Sequence, residues 1–428
     1  MWRVSYRIYS SVSAIWFWTT RRFTGAGFLA LGTLVTAGAL GVDTNQTLAY
    51  QIFTFVLALI AAAMLSTLLS RPRFQVTRSL PRVITAGQAF DYRVSIRNLG
   101  TRAADGLALL EDQVDPRPAF AEFRASLKFP NYRGWWRLTM RNQAAHIADT
   151  ALPALGPQAE AEVRVQGLAY RRGTLKLTGA TIARADPLGL FRSLAPVRLP
   201  DKIVVLPRRY VLPRLHLPGA RRYQHGGVAL ASSVGESEEF MSLRDYRPGD
   251  PLQRIHWKSY ARSGKPVVKE YQDEFFERHA LVLDTFTDLG DIVFEEAVSL
   301  AASFACTLDT QESLLDLMFV GSESYCYTAG RGQMQPATLV EILAGVRSSP
   351  GQDFRRLHHA VLARRAALSG CILILLCWDA ARQELVRALR QSGVPLEVLL
   401  VSEQAIDAAP AWLRVLAPGK IQEGLAGL

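Results

Sequence analysis

The chain has 428 residues, more than one hydrophobic core usually holds, so two or three folded units are expected. Hydrophobic residues make up 49% of it and charged residues 20%, with a mean hydropathy of +0.09. This composition excludes a disordered chain, a collagen-like repeat and a disulfide scaffold, and it is too polar for a protein that crosses a membrane many times. It favours a short membrane anchor that carries a soluble body.

The net charge of +11 is concentrated in the first half of the chain. Residues 1–200 contain 24 basic and 11 acidic residues, whereas residues 201–428 contain 25 and 27. Because the positive half also holds the most apolar segments, an anionic membrane surface explains this charge better than a nucleic acid does. We therefore expect the lipid bilayer as a partner and no nucleic acid.

Two uncharged apolar runs predict a transmembrane helical hairpin over residues 23–70. Phe23–Val42 is 20 residues long and Leu48–Ser70 is 23. Each run is long enough to cross a hydrocarbon layer of about 30 Å. The loop between the runs has no lysine or arginine, while four arginines flank each outer end. This distribution predicts two spans with both ends in the cytoplasm, including the N-terminal segment 1–22.

Alternating apolar and polar residues predict antiparallel strands over residues 72–200, and hence a small β-sandwich. Phe90–Ile96 and Ala159–Val165 show the alternation most clearly. The irregular stretch between them contains the pair Trp135-Trp136 with arginine on both sides. Tryptophan suits a bilayer surface and a packed interior equally well, so contact with the bilayer and a plug in the sandwich both remain open.

A polar segment over residues 201–275 follows, and its charges are densest in residues 235–275. Basic and acidic residues are interleaved there, which is typical of a salt-bridged connection between domains. An anion site or a surface that docks a partner is the alternative. Ile255 and Trp257 are predicted to be core residues on one face of a short helix.

The last third, residues 276–428, alternates continuous apolar runs with helical patterns. This arrangement indicates a parallel sheet covered by helices on both faces. Asp284 and Asp379 each follow a predicted strand, at the carboxyl end where open α/β sheets place their sites.

The segment 239–262 resembles the family called domain of unknown function 58. The matching residues are Glu239, Phe240, Leu243, Arg244, Tyr246, Gly249, Asp250, Arg254, Ile255, Trp257, Ala261 and Arg262. Upstream, Arg171-Arg172-Gly173 and Asp186–Phe191 resemble two further landmarks of the family. The resemblance implies a bacterial inner-membrane protein that acts with a MoxR-type AAA+ ATPase, and it implies no known reaction. The candidate interaction residues are Arg244, Tyr246, Gly249, Asp250, Arg254, Trp257 and Arg262.

The resemblance also implies a von Willebrand factor A-like α/β fold for residues 276–428, in which a D-x-S-x-S sequence after the first strand holds a divalent metal. Here Phe286 and Asp288 stand where the two serines would, and Asp379 matches a later strand-end aspartate. The candidate metal ligands are therefore Asp284, Asp288 and Asp379, a degenerate set because the ring of Phe286 cannot bind a cation. We expect no cofactor, with Mg²⁺ as the alternative.

The whole chain is thus predicted to be a multidomain protein with a transmembrane hairpin, an antiparallel β-sandwich and a von Willebrand factor A-like domain. Its leading function is a membrane-anchored, non-enzymatic interaction or assembly factor. A divalent-metal-dependent ligand-binding module is the second possibility. The third is a hydrolase that uses Cys377 or Ser232 with His358 or His359, although adjacent histidines on a helix point to different faces. The remaining cysteines lack a C-x-x-C spacing and are typical of buried thiols.

Overall fold

The computed structural model of the chain describes residues 1–40, 47–69, 73–213, 240–248, 252, 255–271, 277–287, 291–308, 313–330, 334–403 and 409–426. These residues form two units, Met1–Arg208 and Arg209–Leu428.

Unit 1 begins with the helices α1 (Trp2–Arg22), α2 (Gly25–Leu40) and α3 (Thr47–Leu69). Within α3, Leu48–Thr67 is the one stretch of the described residues that is helical, long and apolar enough to cross a membrane. The apolar helix α2 has 16 described residues, and the last two residues of the predicted first span lie outside the described part. One candidate span is therefore present, while the second span and the orientation stay predictions.

Among the described residues, the rest of unit 1 forms two short helices and nine strands. They are β1 (Phe74–Ser79), β2 (Val83–Thr85), β3 (Ala89–Asn98), β4 (Leu107–Gln113), α4 (Phe120–Ser126), α5 (Tyr132–Asn142), β5 (Ala145–Ile147), β6 (Thr150–Ala151), β7 (Glu160–Ala169), β8 (Gly173–Ala185) and β9 (Arg192–Leu206). The strand orders are β1-β3-β7-β5 and β2-β9-β8-β4-β6, and neighbours are antiparallel except β2 and β9.

The predicted antiparallel strands are confirmed, and their alternation explains how the two sheets pack. On β3, Phe90, Tyr92 and Val94 are buried, whereas Asp91 and Arg93 between them are exposed. The apolar faces of the two sheets share one core, which makes the arrangement a β-sandwich.

An ion pair crosses the core of this sandwich. Arg78 on β1 and Glu111 on β4 belong to different sheets, and both side chains are 1% exposed. Arg78 also donates to the carbonyl oxygen of Leu199 at 2.8 Å and to Asp201 Oδ2 at 3.0 Å. Burial raises the pKa of Glu111, although the hydrogen bond and charge of Arg78 oppose the rise. Loss of either partner would leave a buried unpaired charge, so the pair favours one alignment of the sheets.

The landmark Asp186–Phe191 forms the turn between β8 and β9, and it contacts the start of α2. The Asp186 carboxylate accepts hydrogen bonds from the amides of Leu188 and Phe191, at 2.9 and 2.6 Å, which fixes the turn. The Phe191 ring lies edge-on to Phe23, 5.0 Å away. The backbone of Gly27 passes so close that a Cβ atom there would lie 2.0 Å from the Leu190 carbonyl oxygen. The turn therefore attaches the apolar helices to the sandwich.

Helices α4 and α5 occupy the irregular stretch and pack on α1. Trp135 is fully buried, lies 5.4 Å from the Tyr6 ring, and donates from Nε1 to Ser13 Oγ at 2.7 Å. Trp136 is 38% exposed. Trp135 belongs to a small aromatic cluster separate from the sandwich core, so a plug in the sandwich is the wrong interpretation.

Unit 2 alternates strands and helices. Its elements are β10 (Phe240–Asp245), α6 (Trp257–Ser263), β11 (Val267–Tyr271), β12 (Glu277–Leu283), α7 (Asp291–Thr307), β13 (Ser313–Val320), β14 (Ser324–Ala329), α8 (Pro336–Gly345), α9 (Arg355–Arg364), a 3-10 turn (Arg365–Ala367), β15 (Gly370–Leu375), α10 (Ala380–Gln391), β16 (Leu396–Val401), β17 (Leu413–Leu416) and α11 (Ile421–Leu425). Six strands form one sheet in the order β14-β13-β12-β15-β16-β17.

This six-stranded sheet is parallel except for the edge strand β14, which runs antiparallel to β13. All six residues of β15 are buried, as expected for a central strand with helices on both faces. The strand order reverses between β12 and β15, which makes their carboxyl ends the topological switch point of a doubly wound sheet.

Candidate functional site

Both predicted strand-end aspartates lie at this switch point. Asp284 directly follows β12, and Asp379 caps α10 by accepting a hydrogen bond from the amide of Arg382 at 2.9 Å. Asp284 is fully buried. In open α/β sheets this crevice is the usual place for a ligand, so we take these residues as the candidate site.

An arginine fills the crevice between the two aspartates. Arg382, in the first turn of α10, approaches Asp284 with Nε 2.7 Å from Oδ2 and Nη2 3.1 Å from Oδ1. Its Nη1 atom donates to Asp379 Oδ2. The Arg382 side chain is 6% exposed. A bidentate guanidinium therefore supplies a positive charge at the place where the resemblance implies a divalent cation.

The aromatic rings beside the guanidinium hold it in position. The Cζ atom of Arg382 lies 4.5 Å from the centre of the Phe354 ring, and Phe286 packs edge-on against Phe354 at 5.6 Å. Burial works against the charged form of Arg382, but hydrogen bonding to Asp284 and the charges of Asp284 and Asp379 outweigh it and raise the pKa of Arg382. The ring that replaces a serine hydroxyl is thus part of the packing around an internal cation.

The carboxylate of Asp284 has no acceptor position left for a metal. Besides its two bonds from Arg382, Oδ1 accepts from the amide of Phe286 at 3.0 Å, and Oδ2 accepts from the amide of Leu376 at 3.2 Å. These four donors use the roughly four lone-pair sites of a carboxylate. Asp288 lies outside the described residues, within which no group of three or more His, Cys, Asp or Glu residues is placed to hold a metal ion. The described residues do not fit the metal that the resemblance implies.

The thiol nearest this site is poorly suited to nucleophilic attack. Burial raises the pKa of Cys377 to about 11, the charges of Asp284 and Asp379 add to the rise, and Arg382 opposes it. Burial alone raises the pKa of Cys371 to about 12. A thiol is nucleophilic only as the thiolate, so both groups are unreactive near neutral pH.

The other groups of the hydrolase alternative do not assemble a site either. His358 and His359 have stacked rings 5.8 Å apart, and neither donates to a cysteine among the described residues. Ser232 lies outside those residues.

The family-like segment forms what we call the signature hairpin, the described residues between Phe240 and Tyr271. Strand β10 pairs antiparallel with β11, and Ile255 forms a bridge to Val268. Both residues of this bridge are buried. The fold of the hairpin thus depends on a small apolar contact beneath α6.

The prediction that Trp257 is a core residue is wrong. Its side chain is 62% exposed, because it opens a seven-residue helix, α6, that buries none of its residues. Trp257 packs edge-on against Tyr260 at 6.1 Å. Arg244, Tyr246 and Arg262 also lie on this hairpin. The candidate interaction residues outside the described part are Gly249, Asp250 and Arg254.

A charged cleft in unit 1 is a weaker candidate. It has a volume of about 750 Å³ and lies between α1 and the sandwich. Two ion pairs lie in its wall, Arg21 with Asp112 and Arg117 with Asp115. These four charges are satisfied within the protein, which weakens the cleft as a binding site for a charged ligand.

The guanidinium of Arg382 was missed in the sequence analysis. It stands 98 residues from Asp284 in the chain but only three after Asp379. One signal in the sequence could have revealed it. An aspartate stands at a predicted helix N-cap, an arginine follows three residues later, and a second aspartate ends a neighbouring strand.

Known proteins resemble parts of this chain. No family model matches the chain. A stretch of 175 residues is 26% identical to the uncharacterized protein YeaD of Bacillus subtilis, and it covers 40% of this chain and 42% of that relative. Among solved structures, a CARDB domain from Pyrococcus furiosus is 14% identical over 32% of this chain and 96% of that domain, with a TM-score of 0.18. E. coli alpha-2-macroglobulin is 16% identical over 40% of this chain and 9% of that protein, with a TM-score of 0.20.

Proposed function

We propose that this protein is a membrane-anchored, non-enzymatic interaction or assembly factor that binds a protein partner through its signature hairpin. The observation that carries the proposal is the exposure of Trp257, which is 62% exposed on α6. Large aromatic side chains dominate the binding energy of protein interfaces, so an exposed tryptophan within a polar surface is a candidate anchor.

Further apolar side chains of the signature hairpin are exposed, and one of them, Tyr260, contacts Trp257. Leu243, Leu252 and Tyr260 are 39%, 66% and 41% exposed. Basic residues lie beside them, including Arg262 in the last turn of α6. An apolar centre with a charged rim is the usual composition of a protein–protein interface.

The switch point supports binding rather than catalysis. Its buried charges are neutralised internally by Arg382, and the thiol of Cys377 is held in its protonated form. A reacting group needs an activated nucleophile or base within hydrogen-bonding reach, and the described part of this crevice offers neither. We propose that the six-stranded sheet is a metal-independent, von Willebrand factor A-like domain that presents the signature hairpin.

The partner that we propose is a MoxR-type AAA+ ATPase, on the basis of the resemblance of residues 239–262. We further propose that α2 and α3 cross the inner membrane as a hairpin with both ends in the cytoplasm. The charge bias around the connecting loop supports this orientation. The soluble domains and the ATPase would then share one compartment.

Co-purification of the full chain from detergent-solubilised membranes tests the proposal. We expect the parent chain to retain a MoxR-type ATPase, measured by mass spectrometry, and Trp257→Ala to lose it. Tyr170→Ala is the matched control, because Tyr170 is also an exposed aromatic residue, at 48%, but lies in unit 1. Equal recovery of the ATPase with Trp257→Ala and Tyr170→Ala would contradict an interface on the hairpin.

A further inference from the structure

Helix α1 has an apolar stripe that faces solvent. The exposed fractions of Val4, Ile8, Val12 and Ile15 are 61%, 53%, 46% and 63%. Residues spaced by three and four positions lie on one face of a helix, so these side chains form one continuous strip along α1.

The stripe is not the face by which α1 packs on its neighbours. Tyr6 and Tyr9 on α1 contact the rings of Phe123 and Trp135 on α4 and α5. At about 100° of rotation per residue, the centre of this packing face is roughly 140° away from the centre of the stripe. The aromatic cluster therefore holds α1 rigidly and turns the apolar strip outward.

The charged residues of α1 itself are all arginines. Residues 1–42 contain four arginines and no acidic residue. Arg3 and Arg7 on α1 are exposed, and the Arg3 guanidinium lies 6.0 Å from the centre of the Phe120 ring. An exposed apolar strip on a helix whose charges are all basic is the composition that binds an anionic membrane interface.

The position of α1 in the chain identifies what covers the stripe. Only Phe23 and Thr24 separate the end of α1 from the apolar helix α2, which packs on the candidate span α3. Trp16 and Trp18, near the end of α1, are 55% and 47% exposed, and tryptophan is enriched at membrane interfaces. With α3 in a bilayer, the C-terminal end of α1, which adjoins α2, lies at the surface of that bilayer.

We propose that α1 lies on the cytoplasmic face of the membrane and binds anionic phospholipid through its apolar stripe and its arginines. This inference rests on the proposed membrane anchor. It adds a second membrane contact outside the spans, which would hold unit 1 against the lipid surface.

Tryptophan quenching by brominated lipid tests this proposal on the full chain. The chain is reconstituted into nanodiscs of phosphatidylcholine, with or without phosphatidylglycerol, whose acyl chains are brominated or plain. Ile8→Trp places a reporter on the stripe about 21 Å from the end of α1, too far for the spans alone to bring it to lipid. Thr101→Trp is the matched control on an exposed loop of the sandwich.

We expect brominated lipid to quench the emission added by Ile8→Trp at least about twofold when phosphatidylglycerol is present, and much less without it. The emission added by Thr101→Trp should be unchanged. Val12→Trp is a second reporter on the same stripe, should Ile8→Trp fail to reconstitute. Arg3→Gln with Arg7→Gln should remove the preference for phosphatidylglycerol.

Three outcomes would overturn the proposal. They are a stripe reporter that is quenched no more than Thr101→Trp, quenching that is equal in the two lipid mixtures, and cross-linking of α1 to a second copy in place of quenching. Failure of the anchor itself is distinguishable, because the parent chain would then be released from membranes by alkaline carbonate. A chain that resists carbonate but shows no quenching retains the anchor and refutes only the surface contact.

Discussion

The internal ion pair at the switch point makes a quantitative prediction about stability. Arg382→Met removes the guanidinium but keeps an unbranched apolar side chain in its place. Asp284, which is fully buried, would then keep a carboxylate without its charged partner. Breaking a buried pair in this way costs about 3–5 kcal/mol of the free energy of unfolding.

This cost converts into a large shift in melting temperature. Unit 2 spans residues 209–428, and for a unit of that size each kcal/mol shifts Tm by roughly 2–4 °C. We therefore expect Arg382→Met to lower the Tm of unit 2 by about 6–20 °C. Thermal melting of the full chain in detergent measures it, because Trp378 and Trp412 lie 5.8 Å apart in this unit and report its unfolding by fluorescence.

A matched control and a double-mutant cycle separate the ion pair from a general effect of the substitution. Arg387→Met changes an exposed arginine on the same helix and should alter stability by no more than about 0.5 kcal/mol. Asp284→Asn combined with Arg382→Met should cost less than the sum of the two single changes, by about 0.5–3 kcal/mol. If Arg382→Met melts like Arg387→Met, the pair does not stabilise the fold and the reasoning is refuted.

The remaining predictions concern the metal, the membrane helices and acid stability. Mg²⁺ should give no isotherm with the parent chain in titration calorimetry, and a micromolar isotherm abolished by Asp284→Ala would show a metal site instead. Gly27→Ala should release α2 from the turn at Leu190, seen as faster proteolysis of α2 in detergent, whereas Gly32→Ala should not, because nothing lies within 4 Å of its Cβ position. Burial lowers the pKa of His279 below its ordinary 6.5, and Glu277 opposes this shift. The unfolded chain therefore binds a proton more readily than the folded chain, so the free energy of unfolding should fall as the pH drops below about 6.5. His279→Gln should flatten this pH dependence of the melting temperature. A reporter enzyme that works only in the cytoplasm should be active when it is fused after the last residue. Activity of a reporter that works only in the periplasm would contradict the topology.

Regular patterns in the sequence were sufficient to predict the layers of the fold. In an extended strand successive side chains point to opposite faces, so the alternation from Phe90 to Ile96 is enough to predict a strand with one buried face. The strand-end position of Asp284 and Asp379 follows from continuous apolar runs, for the same reason. The helix α1 could also have been predicted, since the spacing of Val4, Ile8 and Val12 is helical.

Features that depend on contacts between distant residues could not be predicted. The bond between Arg382 and Asp284 joins residues 98 positions apart, and no local pattern encodes it. The burial of Trp257 was predicted by grouping it with Ile255 on one face of a short helix. The helix α6 begins only at Trp257, and Ile255 precedes it, so the two side chains do not share a helical face. Ile255 reaches Val268 on β11 and is buried, whereas Trp257 lies beyond that contact and is exposed.

Direct binding between the purified proteins tests the central proposal most closely. The full chain in nanodiscs is titrated with the MoxR-type ATPase encoded in the same genome, in parallel with Trp257→Ala and Tyr170→Ala. We predict saturable binding of the parent and of Tyr170→Ala, and a loss of at least about tenfold in affinity for Trp257→Ala, since truncating an aromatic anchor costs roughly 2 kcal/mol or more. Absence of binding by the parent chain, or equal affinity of the three chains for the ATPase, would contradict the proposed function.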